Sequence, residues 1–161
     1  MSLAFALEKQ VAVSAVLRAC SLTTSIFNKL VKDEALTKDD KSPVTGSFDY
    51  QPRKAYLFIH CSRLWCLVGD YAAQAVVNTI LSRAFPDDKI VGEEDSSSIS
   101  GPKEQALRSR IVDLANEALT KDLALGDQDQ WGIGPGQARN EKELLDAIDR
   151  GNHEGGRTGR E

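Results

Sequence analysis

Apolar positions recur along most of this chain with the 3.6-residue period of a helix, and four stretches carry that period clearly. In the first, from Leu3 to about Lys32, Val13, Leu17, Cys20, Phe27, Leu30 and Val31 fall at helical spacing. They predict a long amphipathic helix with these positions inward. "KDEALTKDDK", residues 32–41, is charged and reads as an exposed connection. Tyr71 to Phe85 is the cleanest helix, because Val76, Val77, Ile80, Leu81 and Ala84 form one stripe and Pro86 stops it. Asp70, immediately before it, has the chemistry of an N-cap, whose carboxylate accepts from the first free amides. "DDKIVGEED" predicts a turn, a short buried strand at Ile90 and Val91, and an acidic exit. Leu107, Ile111, Leu114, Ala115, Ala118 and Leu119 mark a third helix. Asn140 with Glu143 matches a capping box that opens a fourth, through Leu144, Leu145 and Ile148, with Gly151 closing it. Each stripe needs a facing layer, and one strand with several helices does not close a core by itself.

Composition narrows the function classes. With 161 residues and 41% hydrophobic content, the chain suffices for one domain with a modest core. A net charge of -4 argues against a nucleic-acid partner held by bulk electrostatics. The apolar start "MSLAFALEKQ" is broken by Glu8 and Lys9 before a signal's apolar region forms. Ala55 to Val68, the longest apolar stretch, contains His60 and Arg63 and is too short to span a bilayer. Three cysteines, Cys20, Cys61 and Cys66, are too few for a disulfide framework. The expectation is a cytoplasmic protein with no membrane contact.

Chemistry is sparse. Glu93, Glu94 and Asp95 follow the expected strand, and a carboxylate cluster at a strand end suits a hard cation such as magnesium, which takes oxygen ligands and leaves room for a phosphate. A solvated acidic turn is the plainer alternative. "GIGPGQ", 132–137, lacks the Lys-Ser/Thr of a phosphate-cradling loop and reads as a plain loop. His60, Cys61 and Cys66 have no matching ligand pair for zinc.

Three motifs taken together are more specific: "DDKSPVT", then "GDYAAQAVVNTILSRAFPDDKIVGEED", then "GNHEGGRTGR". In this order they resemble the N-terminal part of the 3′(2′),5′-bisphosphate nucleotidases of the inositol monophosphatase superfamily, most of all the fungal ones. The resemblance covers nearly the whole chain outside residues 46–68. It implies an α+β fold, the N-terminal part of a layered αβαβα sandwich, mostly helical over this length. It further implies a magnesium-dependent, lithium-sensitive phosphatase that removes the 3′-phosphate of adenosine 3′,5′-bisphosphate and of its phosphosulfate relative, in sulfate assimilation. Glu93 matches the family's metal-binding glutamate and Asp70 the aspartate that helps activate the attacking water. Glu94 is expected behind or outside that shell. The family's next motif, Trp-x-Asp-Pro-Ile-Asp-Gly-Thr, supplies two more metal-binding aspartates after a Gly-Gly-Arg-x-Gly-Arg stretch. Here that stretch is Gly155-Gly156-Arg157-Thr158-Gly159-Arg160, followed by Glu161. Residues 1–161 are therefore expected to form an incomplete N-terminal part of one phosphatase domain, inactive alone.

Relatives place one residue between Ser-Pro-Val-Thr and Gly-Asp-Tyr-Ala-Ala-Gln, whereas here residues 46–68 separate Thr45 from Gly69. The segment holds Phe48, Tyr50, Tyr56, Phe58 and Trp65, half of the chain's aromatics, and two of its three cysteines. It reads as a translated intron, expected to be irregular or weakly packed, with a lid or partner-binding loop as the alternative. Two other functions stay open: an inositol-phosphate phosphatase of the same superfamily, and a non-catalytic fragment that binds proteins through uncovered apolar stripes.

Overall fold

The computed structural model describes residues 5–36, 52–123 and 136–151. Within them lie α1 (Ala6–Leu36), α2 (Pro52–Ala84), α3 (Gln105–Thr120) and α4 (Glu141–Asp149). Two short 3₁₀ turns, Ser96–Ile99 and Pro102–Glu104, connect α2 to α3. The central element is α2, which packs against α1, α3 and α4. Its Ala72, Ala75, Val76 and Ile80 are fully covered by Val11, Ala15, Leu22 and Ile26 of α1, by Ile111, Leu114 and Leu119 of α3, and by Leu144 and Ile148 of α4. The core is thus helix on helix, and the described residues contain no strand. At Val91 there is only an isolated bridge, so the strand expected at Ile90 and Val91 does not form among them. A strand is stabilised by its neighbours' ladder, and two apolar residues cannot supply one alone. The mostly helical character holds.

The first helix exists as its period predicts, but its buried face is different. Val11, Ser14, Ala15, Arg18, Leu22 and Ile26 are buried, whereas Val13, Leu17, Cys20 and Phe27, expected inward, are exposed. Both faces are apolar enough to satisfy the pattern, and the choice falls to Arg18. Its guanidinium reaches the last turn of α3 and donates to the carbonyls of Ala118 at 2.7 Å, Leu119 at 3.2 Å and Lys121 at 2.8 Å. A helix end leaves such carbonyls without intrahelical partners and carries partial negative charge, so a buried cation there satisfies both needs. Burial pulls the Arg18 pKa down from its ordinary value, opposed by Asp122. By length and composition Ala6–Lys29 could cross a membrane, yet this helix packs one face, Arg18 included, into the core.

Arg108 performs a comparable task for the turns. It donates to Ile99 and Gly101 carbonyls at 2.7 and 2.6 Å and to Gln105 at 2.5 Å, and pairs with Glu141 at 3.0 Å. This ties residues 99–105 to the start of α4. That start is the capping box the sequence predicts: the Asn140 side chain accepts from the Glu143 amide at 2.9 Å, and Glu143 accepts from the Asn140 amide at 2.8 Å. The Asn140 amide is also the main reason the Glu143 carboxyl sits below its ordinary pKa, with Arg139 assisting. Asn140→Ala should cost about 1 kcal/mol, a cap's usual worth, measured as a lowered urea midpoint.

The largest departure concerns α2, which begins at Pro52 rather than Tyr71. Residues 52–68, expected to be irregular or weakly packed, are not irregular but continue the helix without a break. Val68 is buried, and Trp65 packs on the core beneath Arg110, 5.1 Å from its ring centre. Residues 46–51, Thr45 and the stretch from Asn152 onward lie outside the described residues.

Candidate active site

Asp70 lies inside α2, eighteen residues past Pro52, and is not an N-cap. Its side chain is exposed, one helical turn before Gln74 and on the same face. The segment Gly92–Asp95 packs against that face. The Gln74 carboxamide oxygen accepts from the Glu93 and Glu94 amides, both at 3.0 Å. Its nitrogen donates to the Glu94 carbonyl at 2.6 Å and to the Ile148 carbonyl at 3.0 Å. Thus Glu93 is held to α2 through Gln74, a residue the sequence pattern did not single out, one helical turn after the exposed Asp70. The available signal was the spacing: a polar Gln four residues after Asp70, beside the apolar stripe of a helix, is placed to hold something at that edge.

The three acids of the turn differ in surroundings. Glu93 is exposed. Glu94 is half-buried, with its carboxylate toward the Tyr71 hydroxyl, in keeping with a place behind the solvent-facing layer. Asp95 caps the following 3₁₀ turn, accepting from the Ser97 amide at 3.0 Å. Asp149, from the end of α4, accepts from the Ser96 amide at 2.8 Å and hydroxyl at 2.6 Å. Part of the acidic cluster therefore serves the local backbone, and Glu93 is left facing solvent.

Tyr71 is buried beside this turn. Burial raises its phenol pKa, Ser98 opposes the rise by hydrogen bonding, and the Glu94 charge adds to it. Because the folded state resists ionising this phenol, its contribution is complete below the ordinary tyrosine range near 10 and is lost as pH rises through the higher folded value. The urea midpoint should accordingly fall above about pH 10, and Tyr71→Phe should flatten that fall. An unchanged alkaline slope in the variant would contradict it.

Magnesium chemistry can be tested against these residues. Hard carboxylate oxygens on a pinned turn are the right donor type. Yet among the described residues no three Asp, Glu, His or Cys side chains converge as a metal group. Glu93 and its neighbours offer part of a donor set. Cys20 and Cys66 are separate exposed thiols. A cleft of about 300 Å³ between the ends of α2 and α4 is lined by Arg83, Arg139, Arg150, Glu143 and Asp146. It includes neither Asp70 nor Glu93, and Arg83 stands about 20 Å along α2 from Asp70 by helical rise.

Comparison with known proteins gives the site its context. The chain is related in sequence to enzymes that hydrolyse phosphate from nucleotides. More particularly, its relatives are 3′(2′),5′-bisphosphate nucleotidases, chiefly fungal. That of Schizosaccharomyces pombe is 36% identical over 98% of this chain, and that of Emericella nidulans 33% over 95%. Arabidopsis thaliana 3′(2′),5′-bisphosphate nucleotidase 1 is 28% identical over 98%. The chain spans little more than a third of these relatives, 37%, 35% and 36% of their lengths. No family profile matches it, and no solved structure does.

Proposed function

We propose that this chain carries part of the active site of a magnesium-dependent 3′(2′),5′-bisphosphate nucleotidase, acting on adenosine 3′,5′-bisphosphate and its phosphosulfate relative in sulfate assimilation in the cytoplasm. The observation behind this reading is the Glu93 turn, held by Gln74 one helical turn after the exposed Asp70, in a chain similar throughout to such nucleotidases. Phosphoryl transfer asks a protein mainly to position groups and neutralise charge. Glu93 would hold magnesium, which when bound neutralises phosphate oxygens. Asp70, exposed one helical turn before Gln74, would orient the attacking water and accept its proton.

The test is a chimera in which this chain replaces the matching segment of the S. pombe enzyme. Magnesium-dependent, lithium-sensitive phosphate release from adenosine 3′,5′-bisphosphate supports the reading, and release from inositol phosphates instead would overturn it. Residues 1–161 alone should show no measurable turnover, since a site that acts as a unit loses orders of magnitude when members are missing. Residues 46–68 belong to this reading as a translated intron. Without them, save the one residue relatives keep there, Thr45 would stand next to the Gly69-Asp70 pair, and α2 would begin beside Asp70, placing its carboxylate at a helix start. Transcript sequencing decides between this and a genuine helical extension: messages that retain the segment would favour the extension.

A further inference from the structure

We infer that Gln74 is a positioning residue that latches the Glu93 turn to the end of α4, so that Glu93 and the last turn of α4 move as one body. This deepens the proposed function and rests on it for the importance of Glu93, although the latch itself stands on geometry. All the polar capacity of one carboxamide is committed in opposite senses: two amides converge on its oxygen and two carbonyls on its nitrogen. Those partners also fix which end is oxygen, since the reversed amide would oppose donor to donor and acceptor to acceptor. The nitrogen spans two elements, the Glu94 carbonyl of the turn and the Ile148 carbonyl of α4. A direct bond runs parallel to it, from the Gly92 amide to the Gly151 carbonyl at 2.9 Å.

Two glycines make the close approach possible. A Cβ on Gly92 would lie 2.6 Å from the Gln74 carboxamide, and one on Gly151 would lie 2.8 Å from the Gly92 backbone. At Gly151 no side chain fits without separating the elements, and at Gly92 one would push the Gln74 carboxamide off its partners. Turn, α2 and α4 therefore meet at a three-way contact with one side chain at its centre.

The experiment is amide hydrogen exchange on the 161-residue chain with two substitutions. Gln74→Met keeps length and removes every hydrogen bond. Gln74→Glu keeps the acceptor for the Glu93 and Glu94 amides but cannot donate to Ile148 or Glu94. In Gln74→Met these two amides should exchange about tenfold faster, or more, as expected for a lost hydrogen bond. In Gln74→Glu their protection should persist while the amides of Arg150 and Gly151 speed up. Plain packing would make the two variants behave alike, and unchanged Glu93 and Glu94 exchange in Gln74→Met would overturn the latch. If Gln74→Met does not fold, the split between turn and α4 in Gln74→Glu decides the matter. Titration with magnesium chloride, followed at the Glu93 amide resonance, separates the two readings. A shift supports the metal role of Glu93, an unchanged magnesium requirement in the Glu93→Gln chimera overturns it, and exchange judges the latch alone.

Discussion

Asp70→Asn in the chimera should lower kcat by roughly a hundred- to ten-thousandfold, the usual weight of a positioned general base, and leave KM nearly unchanged. The asparagine keeps size and polarity but cannot take a proton from water. Glu93→Gln should differ in kind: kcat falls too, and more magnesium is needed for half-maximal rate, because a neutral amide is a weaker ligand for a hard cation. The two signatures distinguish a water-activating residue from a metal ligand. If Asp70→Asn changed KM alone, Asp70 would be a binding residue and the mechanism would need another base.

The second large effect is on stability. Arg18→Met should destabilise residues 1–161 by about 3 kcal/mol or more, since three helix-end carbonyls lose their donor and each buried, unsatisfied acceptor costs about 1–3 kcal/mol. The Lys121 carbonyl is only part-buried and can turn to water, which keeps the figure near the lower end of that sum. Methionine preserves the apolar stem, so the loss reports the guanidinium rather than a cavity. Urea unfolding followed by circular dichroism measures it. A midpoint within error of the wild type would mean that α3 ends without help from α1.

Both effects depend on residues that the sequence disclosed unevenly. The capping box of α4 was legible because its chemistry is local, with donor and acceptor three residues apart. So was the end of α2, where Pro86 cannot continue a helix. The stripe of α3 was legible because only one of its faces is apolar. In α1 the signal failed, since a helix apolar on two sides carries no local mark of which side is inward. The answer lay in α3, a hundred residues away, whose terminal carbonyls require Arg18. The start of α2 failed for a related reason: Gly69-Asp70 has the composition of a helix start, but a helix already running through Trp65 and Val68 propagates across it. Of the candidate site, the two acids are carried by short motifs, whereas Gln74 is not legible, because its four partners come from Glu93, Glu94 and Ile148 and no short-range pattern joins them.

The outward side of α1 has a practical outcome. Val13, Val16 and Phe27, with Phe5 just before the helix, are all about half or more exposed. The chain's charge of -4 at neutral pH is small and disappears near pH 5.3. Colloidal repulsion then vanishes while the apolar side remains, and contacts between molecules become net attractive. Turbidity should therefore rise steeply as a concentrated solution is titrated from pH 7.5 toward 5.3, and Val16→Lys with Phe27→Glu should suppress it without moving the isoelectric point far.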